Sequence, residues 1–135
     1  MSNPNVRESD FAVPATIDVV VQRLDGVTVV AVSGELDMLT APTLKSSLTE
    51  QVDDAPAVVV DLNGVTFLGS AGLATLVGAL HQAERRAVPL FLSATSHSVL
   101  RPLIATGLSE IFPVYPSPEE AVRAINRVEP SRAGS

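Results

Sequence analysis

Alternating β-branched and helix-patterned stretches organise the chain from about residue 16 onward. Two β-branched runs predict an antiparallel pair of strands: "TIDVVVQRL" and "VTVVAVSG". They are separated by Asp25-Gly26, a dipeptide typical of two-residue hairpin turns. A helix is predicted next, in "TAPTLKSSLTEQV", with Thr40 as its N-cap and Pro42 tolerated in its first turn. Its apolar residues fall at helical spacing: Ala41, Leu44, Leu48 and Val52.

A buried strand and a second helix follow. The run "AVVVDL" (57–62) is apolar enough for a strand covered on both faces. We predict a turn at Asn63-Gly64 and then a short segment, "VTFL". The second helix begins at Ser70, and its apolar residues predict one buried stripe: Leu73, Leu76, Val77 and Leu80.

The remaining chain repeats the alternation of strand and helix. We predict a strand in "VPLFLSA", a helix in "SHSVLRPLIATGL" that Pro102 kinks and Gly107 ends, and a short last strand in "IFPVY". The final helix, "SPEEAVRAIN", opens with a capping box formed by Ser117 and Glu120. The order β-β-α-β-α-β-α-β-α predicts a single α/β domain over residues 15–127, with a mostly parallel sheet and an antiparallel edge hairpin. The polar ends predict a disordered arm over residues 1–14 and a disordered tail over 128–135.

Composition and charge exclude several classes of function. The 135 residues carry a net charge of −6, and the nine Lys and Arg are scattered, which argues against direct nucleic-acid binding. The chain has no cysteine, no apolar signal segment and no run long enough to span a membrane, so we expect a cytoplasmic protein that contacts no membrane. Two isolated histidines do not make a metal site, and we expect no cofactor. The acidic surface offers no evident self-complementary patch, so we expect a monomer.

Ser70 is the candidate functional residue, and three roles are open to it. It is an N-cap if its hydroxyl accepts an N–H of the first helical turn. It is a nucleophile only if a general base is near. The segment "LGSAG" lacks the first glycine of the G-x-S-x-G elbow of hydrolases. His81 is a poor candidate for the base, because it lies roughly 16 Å from Ser70 along the same helix. Nothing in the sequence ties His97 to Ser70, so we expect no enzyme. The third role is phosphorylation, because a helix N-terminus accommodates a phosphate.

Small residues on the same helix suggest a docking surface. The face opposite the apolar stripe is formed by Ala71, Ala74, Thr75, Gly78 and Gln82. A partner backbone can approach such a face closely, although an alanine-rich solvent face gives the same pattern. Gly78 favours docking, because glycine costs about 1 kcal/mol inside a helix and usually has a packing or contact reason.

Three segments resemble anti-sigma factor antagonists of the STAS superfamily. They are "VSGELDMLTAPTLKSSL", "VVVDLNGVTFLGSAGLATLVGAL" and "SHSVLRPLIATGLSEIFPVYPSPEEAV", and the resemblance covers about residues 16–126. It implies an α/β domain with a four- or five-stranded sheet and about four helices. It also implies a protein that binds an anti-sigma factor, often a serine kinase, and so frees a sigma factor. ATP and Mg²⁺ belong to that kinase, which phosphorylates the antagonist and releases it, and a serine phosphatase reverses the modification.

The residue matching the family's phosphorylated serine is Ser70. The family usually has Asp-Ser-[Ser/Thr]-Gly, whereas this chain has Gly69, Ser70, Ala71 and Gly72, so the carboxylate is absent. The resemblance also implies that the acidic turn holding Glu35 and Asp37 contacts the anti-sigma factor; the alternative is that Asp37 only helps to start the first helix. The predicted contact set is Glu35, Asp37, Gly69, Ser70, Ala71, Gly72, Ala74, Thr75 and Gly78. The rival function is a constitutive, non-phosphorylated STAS module that holds a protein or a small ligand.

Overall fold

A five-stranded mixed sheet forms the centre of the protein. The computed structural model describes residues 16–128, without the side chain of Val128. The strands are β1 (Ile17–Leu24), β2 (Val27–Leu36), β3 (Val58–Leu68), β4 (Leu90–Ser93) and β5 (Val114–Tyr115), in spatial order 1-2-3-4-5. Only β1 and β2 pair antiparallel, and all other neighbours are parallel. The predicted α/β class and the edge hairpin are confirmed.

Four helices connect the strands. They are α1 (Ala41–Asp54), α2 (Ser70–Arg85), α3 (His97–Ala105) and α4 (Pro118–Val128). A short 3₁₀ helix, Leu108–Glu110, was not expected, and the predicted last strand shrinks to two residues. The predicted arm (1–14) and tail (128–135) lie outside the described residues, apart from the backbone of Val128, which ends α4. No helix within residues 16–128 is long and apolar enough to cross a membrane.

Local signals placed two element ends correctly. Asp25 and Gly26 both have positive φ, 51° and 83°, as a type I′ hairpin turn requires. The Ser117 hydroxyl accepts the Glu120 N–H at 3.1 Å, so Ser117 caps α4 as predicted.

The helices bury both faces of the sheet. One core lies under α1, α2 and α3. All four apolar residues predicted to face inward from α1 are buried, and Leu44, Leu48 and Val52 belong to this core. On the opposite face α4 packs Ala121, Val122 and Ile125 against Val29 and Val59. The predicted stripe of α2 is only partly correct, because Leu76 is buried while Leu73, Val77 and Leu80 are half-buried. The centre of the buried face is instead formed by small residues that bring α2 close to its neighbours: Gly72, Ala79 and Ala83.

The turn predicted at Asn63-Gly64 is wrong, because β3 continues through both residues. The pairing with β2 shifts between Ala31 and Ser33, and Ser33 then lies opposite Gly64. The Asn63 amide nitrogen donates to Oδ1 of Asp61 at 2.8 Å, which stabilises the irregular strand. The extension matters for function, because it carries Leu68 to a position opposite Leu36. The exits of β2 and β3 are therefore adjacent.

Candidate functional site

Ser70 is the first helical residue of α2 and not its N-cap. The N-cap is Gly69, with φ −94° and ψ −177°. The Gly69 N–H donates to the Leu36 carbonyl at 2.9 Å, and the first bond of the helix runs from the Leu73 N–H to the Gly69 carbonyl at 3.0 Å. The helix begins at Ser70, as predicted, but the capping role considered for Ser70 is wrong, because Gly69 occupies the N-cap position. Within residues 16–128 the exposed Ser70 side chain has no hydrogen-bond partner.

The N-terminus of α2 is electropositive. Since the helical bonding begins at Leu73, the N–H groups of Ser70, Ala71 and Gly72 have no acceptor within the helix. Gly69 offers no side chain to cap them, and the first turn contains no acidic residue. These N–H groups and the helix dipole favour negative charge near the Ser70 hydroxyl.

The acidic turn after β2 lies beside this helix start and is held by its own hydrogen bonds. Oδ1 of Asp37 accepts the N–H groups of Leu39 at 2.9 Å and Thr40 at 3.0 Å. The buried Thr40 hydroxyl donates to the Glu35 carbonyl at 2.6 Å and accepts the Asp37 N–H at 3.0 Å. Thr40 is the N-cap residue of α1, as predicted, but its hydroxyl makes no cap bond to the helix. Asp37 and Thr40 instead fix the turn against the end of β2.

The pKa of Asp37 lies below the ordinary value for an aspartate. The main cause is the Thr40 N–H, and the Thr40 hydroxyl and the Leu39 N–H lower it further, because all three stabilise the ionised carboxylate. Folding lowers the pKa of this carboxyl, so its ionised form stabilises the folded state at pH values above its pKa in the unfolded chain, about 3.9. This stabilisation is lost as the pH falls through the lower pKa of the folded state.

We expect the Thr40 amide proton to report this titration by NMR. Its chemical shift should change with a midpoint below about pH 3.9, since it follows the ionisation of Asp37. In Asp37→Asn, which keeps an acceptor oxygen but cannot ionise, the shift should stay flat over the same range. A midpoint at or above the ordinary aspartate value would contradict the hydrogen bonding described for this turn.

The two strand exits enclose a shallow concavity of about 460 Å³ around Ser70. We call it the Ser70 surface, and its residues are Asp37, Met38, Phe67, Gly69, Ser70, Ala71 and Ala74. Met38 is 78% exposed, the adjacent Leu39 is 70% exposed and Phe67 is 50% exposed. Large apolar side chains grouped at this level of exposure are typical of a protein-binding surface.

The structure groups some of the predicted site residues and separates others. Five of the nine predicted contact residues line the Ser70 surface: Asp37, Gly69, Ser70, Ala71 and Ala74. Thr75 and Gly78 line a different concavity, between α1 and α2, and Ala74 lines both. Glu35 is exposed near the end of β2, opposite Phe67 in register, but lines neither concavity. Gly72 is buried, and a Cβ there would lie 2.8 Å from Cδ1 of Leu68 and 3.0 Å from Cβ of Leu36. Its role is to let α2 pack.

The sequence did not predict three apolar residues at this site, Met38, Leu39 and Phe67. Met38 and Leu39 could have been noticed, because they form an apolar pair inside a polar turn. They belong neither to the buried apolar stripe of α1 nor to the alternating pattern of a strand. Phe67 had no comparable signal, since it was placed in a short segment after the predicted strand 57–62 and not in a strand.

Within residues 16–128, nothing around Ser70 resembles a hydrolase centre or a metal site. Neither His81 nor His97 forms a hydrogen bond with Ser70. These residues also contain no group of three or more His, Cys, Asp or Glu side chains that could hold a metal ion.

Known proteins resemble this chain across the whole site. The STAS domain family matches residues 18–121. The anti-sigma-F factor antagonist RsfB of Mycobacterium tuberculosis is 33% identical over 116 residues, which cover 85% of this chain and 94% of that protein. The anti-sigma-B factor antagonist of Listeria monocytogenes is 36% identical over 84 residues, which cover 62% of this chain and 74% of that protein. A crystal structure of an anti-sigma factor antagonist from Mycobacterium paratuberculosis aligns with a TM-score of 0.78 at 39% identity, covering 84% of this chain and 97% of that one.

Proposed function

The chain belongs to the STAS domain family, and we propose that it is an anti-sigma factor antagonist controlled by phosphorylation of Ser70. Its relatives are named anti-sigma factor antagonists, which are regulatory proteins. In this proposal the Ser70 surface binds an anti-sigma factor and thereby frees a sigma factor. The observation that carries the proposal is the exposed Ser70 hydroxyl at the start of α2, which has no hydrogen-bond partner among residues 16–128 and is surrounded by exposed apolar side chains.

The geometry favours phosphorylation without unfolding. A phosphate on Ser70 stays in solvent, close to the unpaired N–H groups of the first helical turn. It brings about −1.5 to −2 charges to a surface whose one carboxylate is that of Asp37. A partner that covers Met38 and Phe67 must then desolvate this charge, so phosphorylation weakens docking while the domain stays folded.

The proposed partners follow from this switch. An anti-sigma factor kinase supplies ATP and Mg²⁺ and transfers the phosphate to Ser70, and a serine phosphatase removes it. The antagonist itself needs no cofactor. Its contribution is the docking surface and the acceptor hydroxyl.

Gly69 favours a second candidate function, a constitutive STAS module that is not phosphorylated. The extended backbone at position 69 suits any residue, so the fold does not require glycine there. A Cβ would lie 2.9 Å from Cε2 of Phe67, but that ring is half exposed and can move away. An aspartate is therefore feasible, and its absence removes a carboxylate next to the acceptor serine.

We expect intact-mass spectrometry to detect one added phosphate after incubation with an anti-sigma factor kinase of the source organism and Mg-ATP. Ser70→Ala should abolish the gain. Ser98→Ala is the matched control, because Ser98 is also an exposed serine in the first turn of a helix, α3, and its loss should change nothing.

Gly69→Asp separates the two candidate functions. If kinases active on other substrates modify Gly69→Asp but not the natural chain, the missing carboxylate has abolished kinase recognition, and the constitutive module is correct. If they modify both proteins at Ser70, the phosphorylation switch is correct and the carboxylate is dispensable.

A further inference from the structure

A second concavity lies next to the Ser70 surface. It has a volume of about 730 Å³ and runs between α1 and α2; we call it the α1–α2 groove. Leu48 of α1 and Ala74, Gly78 and Ala79 of α2 form its apolar part. Ala74 lines both concavities, so the groove continues directly from the Ser70 surface.

Gly78 has no structural reason to be a glycine. It is exposed in the middle of α2, and a Cβ there would meet no atom within 4 Å. Its φ is not positive, so the backbone does not require glycine either. Glycine weakens a helix interior relative to alanine, so the fold gains nothing from it. A contact from outside the domain explains it, because the missing side chain lets another backbone approach α2 closely.

The rim of the groove is cationic in an otherwise acidic protein. Lys45, Arg85 and Arg86 line it, together with one carboxylate, that of Asp53. Asp53 is already engaged, by Nε of Arg86 at 3.3 Å and by Nε2 of Gln82 at 2.9 Å. No carboxylate within residues 16–128 forms an ion pair with Lys45 or Arg85. Two cations therefore remain for an anionic occupant, although the chain as a whole carries a charge of −6.

We propose that the α1–α2 groove binds an acidic, amphipathic helix of the anti-sigma factor whose other contacts are with the Ser70 surface. The inference rests on the proposed function and adds the chemistry of the partner. Ala74 and Gly78 lie one turn apart, so a third helix can pack on them at the short axial distances that small residues allow. Its acidic side chains then face Lys45 and Arg85, while its apolar side chains pack on the exposed Ala74 and Gly78.

The steric test compares two leucine substitutions on α2. Gly78→Leu fills the groove, whereas His81→Leu places the same side chain on an exposed position of the same helix that does not line the groove. Binding of the full chain to purified anti-sigma factors of the source organism is measured by isothermal titration calorimetry. Gly78→Leu should raise the Kd at least about tenfold, with an unchanged or higher Tm because leucine favours helix. His81→Leu should bind like the natural chain.

The charge test uses the double variant Lys45→Glu with Arg85→Glu. It should raise the Kd at least about tenfold and reduce the dependence of the Kd on salt, because it reverses the charges that face the acidic helix. Arg123→Glu is the control, since this exposed cation lies on α4, on the opposite face of the sheet. Its Kd should stay within about twofold of the natural value.

The outcomes distinguish the groove from the function on which it rests. If Ser70→Glu abolishes binding while the groove variants bind like the natural chain, the groove inference is overturned and the proposed function stands. If Lys45→Glu with Arg85→Glu loses affinity but keeps the salt dependence of the natural chain, the occupant is not acidic and the inference is overturned. If the natural chain binds no anti-sigma factor, both are overturned.

Discussion

Ser70→Glu is expected to weaken binding to the anti-sigma factor at least about 100-fold, which corresponds to about 2.8 kcal/mol. The glutamate places a negative charge on an apolar contact surface that already contains the Asp37 carboxylate. Burying that charge against a partner costs desolvation energy. A negative charge of the partner facing it would cost several kcal/mol more. The measurement is the Kd by isothermal titration calorimetry, with circular dichroism to confirm that the variant is folded.

Two variants show whether charge causes the loss. Ser70→Ala removes the hydroxyl without adding charge, and its Kd should stay within about threefold of the natural value. Ser98→Glu adds the same charge in the first turn of α3, which lies outside the Ser70 surface, and should bind normally. If Ser70→Glu binds as tightly as Ser98→Glu, the surface around Ser70 is not the contact surface, and the proposed switch is wrong.

The parts of the fold that depend on local chemistry were predictable from sequence. In α1 the four apolar residues at helical spacing are the four that the structure buries. Asp25 and Gly26 adopt the positive φ that their residue types favour. Topology followed from the alternation of strands and helices, because only a largely parallel sheet accommodates that order.

Failures occurred where a neighbour distant in sequence determines the local structure. Asn63-Gly64 has the composition of a turn, but pairing with β2 extends the strand through it. In α2 the buried face is formed largely by Gly72, Ala79 and Ala83. A search for large apolar residues at helical spacing misses these small residues, whose role is to let other elements approach the helix. Ser70 is a residue type that favours the N-cap, yet Gly69 holds that position, where its N–H donates to the Leu36 carbonyl.

The sequence predicted the polar and small residues of the candidate site but not its large apolar side chains. Asp37 lies beside Ser70 because parallel strands bring their carboxyl ends to one edge of the sheet. The apolar part was not predictable, because Met38 and Phe67 are exposed by the paths of a turn and of an extended strand. Hydrophobic patterning assigns such residues to a core by default.

Gly64→Ala is expected to lower the free energy of unfolding by about 2–3 kcal/mol, a large effect for one added methyl group. The new Cβ would lie 2.7 Å from Cβ of Ser33 and 3.0 Å from the Val32 carbonyl oxygen. Both atoms belong to β2 and cannot rotate away, so the strands must separate where β3 continues toward Ser70. Urea denaturation monitored by circular dichroism measures the loss.

Gly78→Ala makes the same chemical change in open space and should act in the opposite direction. A Cβ at position 78 meets nothing within 4 Å, so alanine adds helix propensity without a clash and should stabilise the domain by about 1 kcal/mol. If the changes in the free energy of unfolding have opposite signs for the two variants, Gly64 is needed for β3 to approach β2, whereas Gly78 is not needed for any contact inside the domain. A destabilising Gly78→Ala would reveal an internal role for that glycine, and the reason for assigning it to an external contact would disappear. A neutral Gly64→Ala would mean that β2 and β3 are less closely packed, and the position of Ser70 beside the acidic turn would lose its support.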